Sequence, residues 1–373
     1  MVYDVQWRYR MEVNDSLRLI VLNNCSTLGY KVNESINKTR QTHSSYIVPI
    51  RENRFSNGEG KIVIEETVRE KDVYILSDVG NHGCTYEMFG NQNVMGPDEH
   101  YQDIKRVISA IKGHTSSITV VMPLLYASRQ HKRKGRESLD CAVALQELEA
   151  LGVKAIITFD AHDPNVQNAV PCLPFENFYP TNSILKDFIN NETIDFHKLI
   201  VVSPDTGAMD RARYYADMLK CDVGMFYKRR DLSKVVNGKN PIVAHEYMGT
   251  DVAGKNIIIV DDMIASGDSI LEVAKELKNR KAENVYLVAT FSLFTNGIKS
   301  FEDAYAEGLF NKLYSTNLSY VPEYIKQEPW FKDVDCSIQL ANIIDTINKK
   351  QSISHLLNGK QEILELLNSK INV

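Results

Sequence analysis

No C-x-x-C pair occurs among the six cysteines of this 373-residue chain. Cys25, Cys84, Cys141, Cys172, Cys221 and Cys336 are scattered, so their spacing spells neither a metal cage nor a disulfide framework, and a reducing compartment fits best. Long apolar runs are missing as well: none approaches the length that spans a bilayer. Residues 1–15 interleave Asp4, Arg8, Arg10, Glu12 and Asp15 with apolar positions and lack the unbroken apolar core of a signal peptide. A large excess of one charge is also absent, with 43 Lys and Arg against 48 Asp and Glu, a formal charge of -5. The signs alternate locally, as in His131-Lys132-Arg133-Lys134-Gly135-Arg136-Glu137, which leaves no long basic face for nucleic acid and confines any anion site to a local patch. These absences together imply a soluble, cytoplasmic protein with neither membrane nor nucleic acid as a partner.

What is present is a chain long enough for two domains, each able to bury its own core. Short β-branched runs at 72–77, 118–122, 155–160, 198–203, 256–261 and 284–290 alternate with helix-like stretches such as 138–151 and 210–219, the pattern of α/β structure with mostly parallel sheets flanked by helices. Pro171, Pro174 and Pro180 mark a boundary, which divides the chain into domains at 1–179 and 180–335 and a tail at 336–373. In that tail Leu356, Leu357, Ile363, Leu364, Leu366 and Leu367 predict an amphipathic helix packing on the body. Residues 81–99 read as a loop insertion and 228–252 as a long mobile loop; both are candidates for lids.

In open α/β sheets ligands bind beyond the carboxyl ends of the strands. The run 256–260 ends in Asp261-Asp262 and passes through Ala265, Ser266, Gly267, Asp268 and Ser269 into a helix. Such a strand-turn-helix offers backbone N–H groups and a helix N-terminus to a phosphate, while paired carboxylates bind ribose hydroxyls or a hydrated Mg²⁺. The bland alternative is a helix capped by Asp268 or Ser269. Asp160-Ala161-His162-Asp163 closes another strand, where His162 either serves a divalent ion or sits in a hydrogen-bonded turn. Arg129-Gln130-His131-Lys132-Arg133 and Lys228-Arg229-Arg230 suit a polyphosphate, or else are solvated basic loops. The Gly249 to Lys255 stretch has Walker A spacing but precedes a strand and carries Asn256 where a hydroxyl residue is needed, so it is rejected.

In order along the chain, Arg54-Phe55-Ser56-Asn57-Gly58-Glu59, Ile64-Glu65-Glu66-Thr67-Val68-Arg69, Arg129-Gln130, Asp160-Ala161-His162, Ser203-Pro204-Asp205, Arg211-Ala212-Arg213, Lys228-Arg229-Arg230 and Asp261-Asp262-Met263-Ile264 resemble the ribose-phosphate diphosphokinases, the phosphoribosyl diphosphate (PRPP) synthases. The resemblance implies two phosphoribosyltransferase-like domains and a homo-oligomer, a dimer or a hexamer built from dimers, with shared active sites. It implies that ATP and ribose 5-phosphate are the substrates and Mg²⁺ the cofactor. By motif, Phe55, Asn57, Glu59, Arg129, Gln130 and His162 would hold ATP, and His162 and Asp205 the metal. Asp261, Asp262, Ala265, Ser266, Gly267, Asp268 and Ser269 would bind ribose 5-phosphate, with Lys228 and Arg230 as catalytic cations.

The chain departs from the family pattern in the turn 265–269, where Asp268 beside a phosphate is repulsive unless it points outward, and in the insertion at 81–99. Besides an active synthase, the sequence leaves open a catalytically retired regulatory homologue that assembles with one, and a phosphoribosyltransferase that consumes PRPP.

Overall fold

The computed structural model describes residues 15–230, 242–357 and 359–371. The chain forms two units: Met1–Thr158 with Asp163–Asn177 and Ser337–Ile353, and Phe159–His162 with Phe178–Cys336 and Ser354–Val373.

In the first unit the elements run β1 (Leu17–Val21), α1 (Ser26–Arg40), β2 (Ile50–Arg54), β3 (Gly60–Ile64), β4 (Asp72–Leu76), β5 (Thr85–Met88), β6 (Asn91–Val94), α2 (Pro97–Ile111), β7 (Ser117–Val121), α3 (Asp140–Ala150), β8 (Ala155–Phe159) and β9 (Phe175–Phe178). Runs such as Val73 to Leu76 and Val120 to Val121 are buried on both faces, as strands covered by helices must be. The sheet order is β1-β4-β7-β8-β9, with β1, β4, β7 and β8 parallel. Helix α2 starts at Pro97, whose missing N–H costs nothing at that position, and Glu99 accepts from the Gly96 N–H at 2.9 Å. Its Ile104, Val107, Ile108 and Ile111 recur at helical spacing and are all buried.

The stretch 81–99, expected to be a loop insertion, is instead a hairpin of β5 and β6 followed by the start of α2. Its strands carry Tyr86, Met88 and Val94 among polar residues, too short an alternation to register as strand signal. A second hairpin, β2 with β3, pairs Ile50 with Ile64 and Arg54 with Gly60. Between the two hairpins and α2 lies a cavity of about 310 Å³ with Glu52, Arg54, Tyr86, Met95, His100 and Asp103 in its walls. Burial, aided by the charge of Asp103, lifts the Glu52 carboxyl from 4.5 to about 7, against the opposing hydrogen bond from the Asn23 N–H.

The second unit contains α4 (Thr181–Asn191), β10 (Leu199–Ser203), α5 (Met209–Leu219), β11 (Asp222–Arg230), β12 (Ile242–Met248), β13 (Asn256–Ile264), α6 (Asp268–Asn279), β14 (Asn284–Ser292), α7 (Lys299–Ala306), β15 (Lys312–Thr316), α8 (Glu323–Lys326) and β16 (Phe331–Val334). Its sheet, ordered β12-β11-β10-β13-β14-β15-β16, is parallel except for the antiparallel pair β11 and β12. Of the stretch 228–252 expected as a mobile loop, residues 228–230 and 242–248 are instead paired strand, while residues 231–241 lie outside the described part. One core cluster gathers Ile257, Ile259, Leu287, Phe301 and Trp330, with the Phe301 and Trp330 rings stacked at 5.7 Å.

Residues 336–373 are shared out. Helix α9 (Ser337–Asn348) packs on α1 in the first unit, and α10 (Lys360–Ile371) packs on α4 and α5 in the second. Arg40 of α1 clamps α9, donating to Asp345 at 2.5 Å and to Asn348 at 2.8 Å, and also pairing with Asp15. No helix among the described residues is long and apolar enough to cross a membrane.

Two outcomes follow. Arg40→Ala removes the guanidinium shared by the buried Asp345 and the partly buried Asp15, leaving Asp345 paired only with Lys349 among the described residues, and costs about 3 kcal/mol in urea unfolding; a loss below about 1 kcal/mol would contradict the clamp. Because the folded pKa of Glu52 is raised, its stabilising contribution is complete below 4.5 and is lost as pH rises through about 7. Glu52→Gln should flatten that part of the stability-pH curve, and an unchanged slope counts against the assignment.

Candidate active site

Strand β13 carries its acidic pair inside the sheet rather than beyond it: the strand runs on to Ile264, and Asp261 pairs with Ala289 of β14. Adjacent strand residues ordinarily alternate faces, but the Asp261 and Asp262 carboxyls interact with each other and both lie in the field of Arg211. Asp262 is 3% exposed and accepts from His162 Nδ1 at 2.7 Å, across 100 residues of sequence. Two motifs expected to share a site are thus in contact within the second unit.

Beside them lies a buried ion pair. Asp160, 3% exposed, follows β8 in a left-handed conformation (φ 43°), one that Asp tolerates better than most residues. Arg211 of α5 grips it through two nitrogens, Nε at 3.1 and 3.0 Å from its two oxygens and Nη2 at 2.7 Å, while Thr290 Oγ1 donates to it at 2.6 Å. Thr316 in turn donates to the Thr290 carbonyl at 2.7 Å. Burial alone would lower the Arg211 pKa, but Asp160 first, then Asp262 and Asp261, hold it raised. Burial also pushes Asp262 up, and the His162 hydrogen bond and the Arg211 charge outweigh it, so its carboxyl lies below the usual range. Asp261 goes the other way: burial and the neighbouring Asp262 charge drive it well above the usual carboxylate range. The two carboxyls therefore differ in their hold on a proton, Asp261 binding it more tightly than Asp262.

After β13 the chain turns through Ala265 and Ser266 to Gly267, which precedes α6 with φ 90°. A side chain at Gly267 would strike the Phe301 ring, at 2.3 Å, so glycine is required by both backbone and space. Gly267, rather than Asp268 or Ser269, is the N-cap, and no side chain caps α6. Asp268 is exposed and accepts from Ser266 Oγ at 3.0 Å. The acidic side chain is therefore exposed, and the N-cap position itself supplies no side-chain cap to α6.

Asp205 follows β10 in a tight turn, its Oδ1 accepting from the N–H groups of Gly207 and Ala208 at 2.8 and 3.2 Å. Lys228 and Arg230 lie on β11, opposite His245 and Ile242, and their side chains fall outside the described part. In the first unit, Phe55, Asn57 and Glu59 sit in the tip between β2 and β3, closed by Phe55 N–H to Glu59 O and Gly58 N–H to Phe55 O, both 2.8 Å. Phe55 is 51% exposed, and Asn57 and Glu59 are exposed. Arg129 and Gln130, also exposed, occupy a short 3-10 turn after β7. None of these expected residues lines the 310 Å³ cavity, and its carboxylates are engaged by Arg54 and by the Asn23 N–H.

The residues that sequence reading left without a role are Asp160, Arg211 and Thr290. The first two fall within recognised motifs, but nothing in the sequence couples positions 51 apart. Thr290 ends a hydrophobic strand and gives no signal of its own.

Comparison with known proteins agrees with this architecture. Residues 17–152 match the N-terminal domain of ribose phosphate pyrophosphokinase, and residues 182–326 the phosphoribosyl transferase domain. A ribose-phosphate pyrophosphokinase of Burkholderia pseudomallei is 32% identical over 247 residues, covering 65% of this chain and 70% of that protein. The Mycoplasma pneumoniae enzyme of the same name is 29% identical over 309 residues, 82% of this chain and 86% of the relative. The crystal structure of phosphoribosylpyrophosphate synthetase from Mycobacterium smegmatis has the same fold, with a TM-score of 0.72 over 90% of this chain and all of that one, at 20% identity. With both of its domains matched and a relative above 30% identity aligned over most of its length, this chain belongs to the ribose-phosphate pyrophosphokinase family.

Proposed function

We propose that the protein transfers the diphosphoryl group of Mg-ATP to the C1 hydroxyl of ribose 5-phosphate, giving PRPP and AMP. The observation that carries this reading is the 2.7 Å contact between His162 and Asp262, which joins the motif expected to serve the nucleotide to the one expected to hold the sugar. Family membership supplies the reaction class.

Ribose 5-phosphate would bind at the end of β13. The phosphate would take the first-turn N–H groups of α6, where the helix dipole favours an anion, and the outward position of Asp268 removes the expected repulsion. The ribose hydroxyls would find hydrogen-bond partners in the Asp261 and Asp262 carboxyls. Lys228 and Arg230 would neutralise charge on the moving group. Phe55, Asn57, Glu59, Arg129 and Gln130 would hold ATP. The C1 oxygen attacks the β-phosphorus; that O–P bond forms as the bond from the β-phosphorus to the α,β-bridging oxygen breaks, and AMP leaves with its electron pair. Little covalent work falls to the protein, so alignment and charge neutralisation supply the rate.

The residues present suit Mg²⁺. Among the described residues no three His, Cys, Asp or Glu side chains form a cage, as expected for an ion that takes most of its ligands from phosphate oxygens and water. His162 is braced through Nδ1 by a carboxylate, the arrangement that orients metal-ligating imidazoles, and Asp205 adds a carboxylate after the adjacent strand β10. When bound, the ion would polarise and screen the diphosphoryl oxygens.

The reading also carries a homo-oligomer of at least two chains with shared sites, supported by the half-exposed Phe55 at its hairpin tip. A cytoplasmic location is supported by six free cysteines.

Purified protein with ATP, Mg²⁺ and ribose 5-phosphate should yield AMP and PRPP by mass spectrometry, with AMP appearing only when the sugar is present. Activity appearing only on adding an active synthase, or PRPP consumption dependent on a base, would favour the other readings. Lys228→Ala should lower kcat by roughly 10² to 10³ while calorimetric ATP binding stays largely intact; an unaffected rate removes Lys228 from the mechanism.

A further inference from the structure

Two hairpin tips of the first unit are joined backbone to backbone. The Phe89 N–H, in the turn between β5 and β6, donates to the Ser56 carbonyl, in the tip between β2 and β3, at 2.8 Å. Arg54, at the base of that tip, lies over the Tyr86 ring of the other hairpin, 5.6 Å from its centroid. The insertion is therefore fastened to the segment that carries Phe55, Asn57 and Glu59.

Folding does not explain the residue at the point of contact. The turn closing the Met88 and Asn91 pair has φ 49° at Phe89 and φ 76° at Gly90, both left-handed, the pattern of a type I′ turn. Asn, Asp or Gly is favoured at the first of these positions, because a left-handed backbone crowds a bulky side chain. Burial does not offset the strain, since Phe89 is 76% exposed. A strained, exposed aromatic residue whose backbone is bonded to Ser56, the neighbour of the half-exposed Phe55, is available for contact outside its own hairpin. The neighbouring tip indicates what that contact is: exposed aromatic residues on two tethered turns suit a planar purine.

We propose that Phe89 is a specificity-determining residue of the nucleotide site, extending the Phe55 surface against which the base of ATP stacks. This rests on the reading of Phe55, Asn57 and Glu59 as nucleotide-binding. On that basis the insertion adds a stacking contact to the site and fixes its position through the Ser56 carbonyl.

The test uses the full-length protein and Phe89→Asn, which supplies the residue such a turn prefers, alongside Phe89→Trp. Binding of a non-hydrolysable ATP analogue is measured by calorimetry, with KM values for ATP and ribose 5-phosphate and the unfolding temperature. Loss of one base-stacking surface should weaken analogue binding and raise the ATP KM by about tenfold in Phe89→Asn. The ribose 5-phosphate KM should stay within about twofold, and the unfolding temperature should be equal or higher, because the turn is relieved. Phe89→Trp should keep nucleotide affinity within about twofold. If the wild type binds the analogue and makes PRPP while Phe89→Asn binds as tightly, the proposal is overturned and the nucleotide reading stands. A changed oligomeric state with unchanged nucleotide affinity overturns it too, giving the ring to a subunit contact. A wild type that neither binds the analogue nor turns over brings down the nucleotide reading and this inference with it.

Discussion

The second unit depends on one buried ion pair, the bidentate grip of Arg211 on Asp160. Around that single guanidinium stand three carboxylates, those of Asp160, Asp261 and Asp262, all contributing to its raised pKa. Removing one partner of such a pair leaves an uncompensated charge in a low dielectric, which is far costlier than the pair is stabilising. Within the second unit Arg211 therefore anchors Asp160 to α5 in a field shared with Asp261 and Asp262, and Thr290 of β14 donates to the same carboxylate. The left-handed backbone at Asp160 is a local cost that this over-determined set of contacts can sustain.

The same arrangement pushes two adjacent aspartates in opposite directions. Asp262, hydrogen-bonded by His162 and close to Arg211, is held below the usual carboxylate range; Asp261, desolvated and facing the Asp262 charge, is held well above it. Environments that push neighbouring carboxyl groups apart are how a fold builds an acceptor and a donor from one residue type. For a sugar phosphate this matters, because ribose hydroxyls can both give and take hydrogen bonds, whereas two anions side by side would repel each other and accept only. On the proposed reading the phosphate would be left to the N-terminus of α6, which begins at Gly267 and carries an exposed Asp268.

Much of this was legible in the sequence, for identifiable reasons. Strands such as Asn256–Ile264 are runs of branched aliphatics ending in charge, and two-sided burial makes such runs conspicuous. The motif order carried the family and the fold. Pairings between distant positions were not legible: no periodicity links Asp160 to Arg211, or Arg40 to Asp345. The hairpin at 85–94 was hidden because its four-residue strands hold few apolar side chains and its turn places Phe89 where Asn is usual, so the local signal pointed to loop. Of the two readings of the start of α6, the alternative of a cap at Asp268 or Ser269 does not hold: the close Phe301 ring and the positive φ give that position to Gly267.

The central claim, that the acidic end of β13 and the start of α6 form the sugar-phosphate site, is tested most directly by a crystal structure with ribose 5-phosphate and Mg²⁺. The account predicts the phosphate on the backbone N–H groups of residues 267–269 and ribose hydroxyls within hydrogen-bond distance of Asp261 and Asp262. Density for the sugar phosphate elsewhere, with Asp261 and Asp262 untouched, would contradict it.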